Sequence, residues 1–273
     1  MNDMRECWKR NADGLERLAS LGHVPSGYLA LRRALYRAQT AVCDALSGDC
    51  FHGAPVAAGM LPYNPTAMAG ILDEMAGSLN EGTAAAADLD RMRAVPDELP
   101  LLADIAMFSP DSNRLNEWAA RRSVSGEAAL FFGRACGAPY VFRAVQEATT
   151  KTLETDAPRE GKCPSCGSPP GLALICGDDG HRELACSLCG SRRGYPRLQC
   201  PFCGKAGILE TVRDADAAAR WIEGCESCGG YLKTVDARSA PVLPLVESVE
   251  TLYLDLIAEK EGFRRGMPYV ALN

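Results

Sequence analysis

Apolar residues recur at helical spacing through the first half of the chain. Between positions 26 and 46 they fall at Leu29, Leu31, Leu35, Ala38, Val42 and Leu46, roughly one face of a 3.6-residue helix. The spacing predicts another helix over 65–79, with Pro65 in its first turn and Met68, Ile71, Leu72 and Met75 facing inward. Asp111 and Ser125 have the short polar side chains that cap helices. The first would start a helix carrying Leu115 and Trp118, the second one carrying Ala129, Phe132 and Ala135. Gly137-Ala138-Pro139 is expected to break that last helix, with another running over 140–153. At least five helices imply an all-α bundle over residues 1–155, with its aromatic residues in the core.

The pattern then changes. Residues 154–162 place Pro158 and Gly161 among charges and read as a linker. Beyond it come short strands and turns. One hairpin is expected from 172–176 and 181–186 around Gly177-Asp178-Asp179-Gly180. A second is expected from 208–212 and 220–224 around Asp214-Ala215-Asp216. After Pro241 and Pro244, a helix over 245–261 carries Val246, Val249, Leu252, Tyr253, Leu256 and Ile257, and is expected to pack back on the body.

Cysteines punctuate both hairpins. Cys163/Cys166, Cys186/Cys189, Cys200/Cys203 and Cys225/Cys228 are four Cys-x-x-Cys pairs within 66 residues, separated inside each block by 19 and 21 residues. The arrangement is a tandem duplication, and each block holds a complete four-thiolate set. A Cys-x-x-Cys turn lets two sulfurs converge on one ion. The glycine after each pair (Gly167, Gly190, Gly204, Gly229) permits the positive φ that turns backbone N–H groups toward them. Pairing by adjacency assigns Cys163, Cys166, Cys186 and Cys189 to one ion and Cys200, Cys203, Cys225 and Cys228 to the other; spacing alone leaves a crossed pairing between blocks open. Tetrahedral S4 coordination suits Zn2+ or rubredoxin-type Fe. Blocks this small bury little core, and bound metal would supply their stability, about 10–16 kcal/mol in zinc-finger peptides. A closed shell activates no water, so no catalytic role is expected of the metals. A thioredoxin-like reading needs a βαβ context, which this region lacks.

Thirteen cysteines, an odd number, do not make a disulfide scaffold when eight have metal-ligand spacing. Cys7, Cys43, Cys50 and Cys136 read as small buried apolar residues. Cys176 reads likewise, although it lies inside the first block. Of the three histidines, His23, His52 and His181, the quartets need none, and His181 reads as a solvated turn residue. The net charge of −6, without a basic tail, argues against a nucleic-acid binder; Arg192, Arg193 and Arg197 are the local exception. No apolar run is long enough to span a membrane, and MNDMRECWKRNADG lacks the apolar core of a secretory signal. Arg121-Arg122 lies mid-chain, unlike a twin-arginine signal. GxGxxG, P-loop, GxSxG and HExxH motifs do not occur, and no catalytic centre is expected.

The order of parts resembles the formate dehydrogenase accessory protein FdhE family. The resemblance rests on Cys163-Pro164-Ser165-Cys166-Gly167-Ser168, Cys186-Ser187-Leu188-Cys189, Arg197, Cys200 to Cys203, Glu223, Cys225 to Lys233 and the Glu-Lys-Glu-Gly-Phe run at 259–263. It is specific over about 160–265 and diffuse before that. One departure is Arg193-Gly194, where the family often has Trp-His. The resemblance implies a helical domain (1–155), two rubredoxin-like or zinc-ribbon domains (160–195 and 196–240) and a C-terminal helix and tail (241–273). It implies a cytoplasmic, non-enzymatic maturation factor that binds the catalytic subunit of formate dehydrogenase. Arg197, Tyr231 and Lys233 are the candidate partner contacts. A zinc-ribbon nucleic-acid or transcription-complex module and a rubredoxin-like electron-transfer protein are the alternatives.

Overall fold

A computed structural model describes residues 4–22, 24–46, 56–108, 112–148, 161–206, 209–213 and 219–266. His23, Cys50, His52, the Asp111 cap, residues 149–160, Ile208 and the Asp214-Ala215-Asp216 turn lie outside the described residues, as does the side chain of Cys7. The chain forms two compact units, one within residues 1–152 and one within 153–268.

The first unit is helical: α1 (Met4–Leu21), α2 (Ser26–Ala45), α3 (Pro65–Ala76), α4 (Ala84–Arg93), α5 (Leu99–Phe108), α6 (Ser112–Arg122) and α7 (Gly126–Ala148). Helix α7 is central and packs on α2, α3, α4, α5 and α6. Leu35, Ile71, Leu72, Met75, Leu102, Trp118, Phe132 and Val141 fill the space between them. Each such side chain contributes about 1.5–3 kcal/mol by leaving water. The expected cap at Ser125 is present, its Oγ accepting from Ala128 N at the start of α7, and α3 has a cap that the sequence reading did not name, Asn64 Oδ1 accepting from Ala67 N before Pro65. Asp88 holds Ser125 in place by accepting from both its N–H and its hydroxyl.

The break expected at Gly137-Ala138-Pro139 does not occur. Helix α7 runs through Pro139. Proline has no N–H for the carbonyl four residues earlier, and an unsatisfied buried carbonyl would be costly. Gln39 on α2 resolves this by donating from Nε2 to Ala135 O at 2.8 Å, and the Cys43 thiol, also on α2, contacts Pro139 O at 3.6 Å. The neighbouring helix thus replaces the missing partner.

The second unit is a seven-stranded sheet: β1 (Pro170–Cys176), β2 (His181–Cys186), β3 (Arg192–Gly194), β4 (Leu209–Arg213), β5 (Arg220–Cys225), β6 (Gly230–Asp236) and β7 (Arg264–Arg265). The order is β3-β2-β1-β6-β5-β4, with β7 also paired to β6. Each cysteine block contributes an antiparallel trio, and the parallel pairing of β1 with β6 (Ala173 opposite Thr234) makes the two trios one sheet. One face buries Leu172, Leu174, Ala185 and Val235. The other buries Ala173, Leu184, Tyr195 and Leu232.

The helix expected over 245–261 is two, α8 (Pro244–Glu250) and α9 (Leu252–Lys260). They divide at Thr251, whose hydroxyl bonds back to Glu247 O. Lys233 Nζ donates to the carbonyls of Ser248 and Thr251, at 2.9 and 3.3 Å. A buried ammonium satisfies the carbonyls at the division, which accounts for the interruption.

Candidate metal centres

Each Cys-x-x-Cys pair occupies a tight turn; Cys186 and Cys225 are the last residues of β2 and β5, and the Cys200–Cys203 turn lies between the bridged residues Gln199 and Ala206. In the first knuckle, Gly167 N donates to Cys163 O and Cys163 N to Ser168 O, both at 2.8 Å. The third repeats this with Gly204 N to Cys200 O (2.9 Å) and Cys200 N to Lys205 O (2.8 Å). Gly167, Gly190, Gly204 and Gly229 have φ of 70°, 69°, 73° and 68°. That left-handed conformation strains any side chain and explains glycine at this place in every knuckle. The glycine N–H is spent on the first cysteine's carbonyl; donors to sulfur come from its neighbours. Leu188 N and Phe202 N each donate toward the first sulfur of their own knuckle, Cys186 and Cys200, at 3.4 Å. The Lys205 N–H is the leading cause of a lowered Cys203 thiol pKa.

The turns bring together the two sets that adjacency groups. The sulfurs of Cys163, Cys166, Cys186 and Cys189 lie within 4.8 Å of one another, and so do those of Cys200, Cys203, Cys225 and Cys228. Individual separations are 3.6 Å (Cys163–Cys189), 3.5 Å (Cys166–Cys186), 3.8 Å (Cys200–Cys228) and 3.7 Å (Cys203–Cys225). A disulfide would need about 2.05 Å. Zn–S bonds of about 2.3 Å place tetrahedral ligands roughly 3.8 Å apart. The donor set and spacing therefore fit one tetrahedral ion per set, and the two sets could hold two ions. Zinc and iron suit an S4 shell alike.

The sets differ in exposure. All four cysteines of the first are buried, whereas in the second Cys203 is exposed and Cys228 half-buried. Burial pushes the Cys186 thiol well up. Four thiolates so enclosed require a compensating cation.

A divalent ion in four thiolates leaves a net charge of −2, and two arginines stand near. Arg193 lies 5.5 Å from the Tyr195 ring centre. Burial lowers its pKa, and the charges of Cys163, Tyr195 and Cys186 oppose that. Arg182 lies 5.9 Å from the same ring, and Tyr195 donates its hydroxyl to Cys200 O at 3.2 Å. Arg182 also pairs with Glu223 of β5 at 2.6 Å and donates to Gln199 O at 3.0 Å. It therefore joins both trios and the segment leading into the second set. Arg182 and Tyr195 were not among the residues the spacing singled out. Arg182 sits at an alternating strand position next to His181, where nothing in the sequence marks its charge as buried.

The three candidate partner contacts occupy different environments. Arg197 is at the surface, with Nη1 donating to Gly180 O at 3.0 Å. Tyr231 and Lys233 are buried on β6, both on Asp255 of α9, at 2.8 and 3.0 Å. Burial lowers the Lys233 pKa to about 8, with Asp255 the main opposing influence. Arg265 Nη1 approaches the same carboxylate at 3.3 Å. Arg192 donates to Val242 O. Cys43 and Cys136 are buried and Cys176 is half-buried.

No protein-family model matches the chain. Among curated proteins, the Protein FdhE homolog of Stutzerimonas stutzeri is 32% identical over 197 residues, 66% of this chain and 62% of that protein. The Protein FdhE homolog of Actinobacillus pleuropneumoniae serotype 3 is 33% identical over 120 residues, 42% of this chain and 39% of that protein. The matched stretch thus spans less than two-thirds of these curated relatives' length. Among solved structures, the crystal structure of the FdhE protein from Pseudomonas aeruginosa matches with a TM-score of 0.66 and 24% identity, over 99% of this chain and 96% of that one. That match shows the fold: a helical region, a small sheet with two cysteine quartets, and a C-terminal helical segment. No described helix is long and apolar enough to cross a membrane.

Proposed function

We propose that this chain, which its relatives and its fold place in the FdhE family, is an accessory protein of formate dehydrogenase that binds the enzyme's catalytic subunit in the cytoplasm during assembly. Two metal ions, zinc or iron, would be held by Cys163, Cys166, Cys186 and Cys189 and by Cys200, Cys203, Cys225 and Cys228. The observation that carries the reading is the pair of converged quartets on one sheet. Closed shells of four protein ligands leave the metal no position for substrate or water, which favours a structural or redox element over a catalyst. The ions would fix the knuckles and so shape the surface between them. The second quartet, with Cys203 at the surface, is the part a partner subunit could reach, and Arg197 is the outward-facing candidate contact.

Cys163→Ser or Cys225→Ser, introduced into the producing cells, is expected to lower formate dehydrogenase activity strongly while the catalytic subunit's abundance stays unchanged. Activity assays beside immunoblots check this. Normal activity in both variants would contradict the proposal.

A further inference from the structure

The end of the β1–β2 hairpin carries a third cluster of metal-ligand side chains, separate from both quartets. Cys176 and His181 are directly opposed across the strand pair, and Glu183 lies two residues further along β2. The alternation of a strand puts His181 and Glu183 on one face, and the pairing puts Cys176 there too. Cys176 Sγ is 3.7 Å from Glu183 Oε2, and His181 Nε2 is 3.5 Å from Glu183 Oε1. One donor atom from each residue falls within 4.8 Å of the other two. Sulfur, nitrogen and oxygen ligands of a tetrahedral zinc ion would stand roughly 3.3–3.6 Å apart, close to the two separations made to Glu183.

The imidazole is also oriented for the task. Asp179 Oδ1 lies 2.8 Å from His181 Nδ1 and accepts the His181 backbone N–H at 3.3 Å. A carboxylate on one ring nitrogen fixes the tautomer that leaves the other nitrogen's lone pair for a metal, and here that other nitrogen is the one facing Glu183. Gly177 makes room for the arrangement: at φ +64°, a Cβ there would lie 2.7 Å from Asp179 Oδ1 and 3.0 Å from the imidazole.

We propose that Cys176, His181 and Glu183 form a third site, for a zinc-class divalent cation, with Asp179 as the positioning residue of the imidazole. One thiolate and one carboxylate neutralise a divalent ion. Three protein ligands leave at least one coordination position to water, unlike the closed quartets. The His181 side chain is 48% exposed and that of Glu183 26%, so this ion exchanges with solvent where the buried first quartet does not. Burial raises the Cys176 thiol pKa, Glu183 adds to the rise, and Arg192 opposes it.

The test uses the full chain with both quartets zinc-loaded, titrated with Co2+. Metal is counted by native mass spectrometry, and the thiolate-to-cobalt absorption is followed. A third equivalent is expected, with charge-transfer intensity for a single thiolate and no zinc released. Cys176→Ser and His181→Ala should each abolish it while keeping two zinc ions, which also reports that the variants fold. Asp179→Asn, at an exposed turn position, should weaken cobalt binding by about 10- to 100-fold. Saturation at two metals, cobalt uptake only by displacing zinc, or a third equivalent that survives Cys176→Ser would each overturn the proposal.

Discussion

Withdrawing metal from the two quartets is expected to unfold the sheet unit, and to do so in two steps. Chelator at limiting concentration should take one ion first, from the set containing exposed Cys203 and half-buried Cys228; the wholly buried first set should yield later. The physical reason is access: a chelator must reach the ion, and only the second set offers a sulfur at the surface. The stake is large because the knuckles have little else to hold them. Their turns bury small residues, and the binding energy of such sites, about 10–16 kcal/mol in zinc-finger peptides, is folding energy. Loss of the first ion should expose the β4–β5–β6 trio to amide exchange, and loss of the second the β1–β2–β3 trio. Metal counting with peptide-resolved hydrogen exchange reads both. Simultaneous release, or full protection of the strands after complete stripping, would contradict this reading.

The second large effect is expected at the Arg182–Glu223 pair. The Arg182 side chain is fully buried and that of Glu223 is 10% exposed, with the charges 2.6 Å apart. Burial lowers the Arg182 pKa and Glu223 is the main influence raising it. Replacing Glu223 by Ala leaves a buried guanidinium without its counter-ion. Breaking one partner of such a pair costs about 3–5 kcal/mol. Glu223→Ala should therefore lower the denaturant midpoint sharply. Replacing both residues, Arg182→Met with Glu223→Leu, should recover a good part of the loss, since apolar residues of similar volume remove the uncompensated charge. The recovery is partial because Gln199 O loses its donor. A Glu223→Ala variant as stable as the natural chain would show that the pair contributes nothing.

The sequence exposed the metal chemistry more fully than the architecture around it. Cys-x-x-Cys spacing with a following glycine is a local signal, because two sulfurs and a left-handed residue make a knuckle wherever the chain puts them. The β1–β2 hairpin was legible for a similar reason: its turn, Gly177-Asp178-Asp179-Gly180, announces itself. Strand β6 was not, although it joins the two trios. It is buried on both faces along Tyr231-Leu232-Lys233-Thr234-Val235, so it lacks the alternation that marks a half-exposed strand, and Lys233 disguises it further. Only tertiary structure shows that this lysine is spent on α8, α9 and Asp255. The run through Pro139 was hidden similarly. Local rules end a helix there, and the compensating donor, Gln39, lies about a hundred residues earlier in the chain. Helices α1, α4 and α5 are absent from the sequence reading: α4 has a good cap in Thr83 but opens on four alanines that show no stripe, and α5, Leu-Pro-Leu-Leu-Ala-Asp-Ile-Ala-Met-Phe, is too apolar throughout to show a period. His181 is exposed, as its turn position suggests, and the hairpin legible in the sequence already sets Cys176 opposite it; the distances to Glu183 are what only the structure supplies.

The most direct test of the proposed role is an anaerobic affinity purification of the tagged chain from its own cells, with co-purifying proteins identified by mass spectrometry. A formate dehydrogenase catalytic subunit is expected among them, and is expected to be lost when Cys225→Ser dismantles the second quartet. Recovery of only RNA polymerase, ribosomal or nucleic-acid components would contradict the proposed role and assign the two ribbons to a different machine.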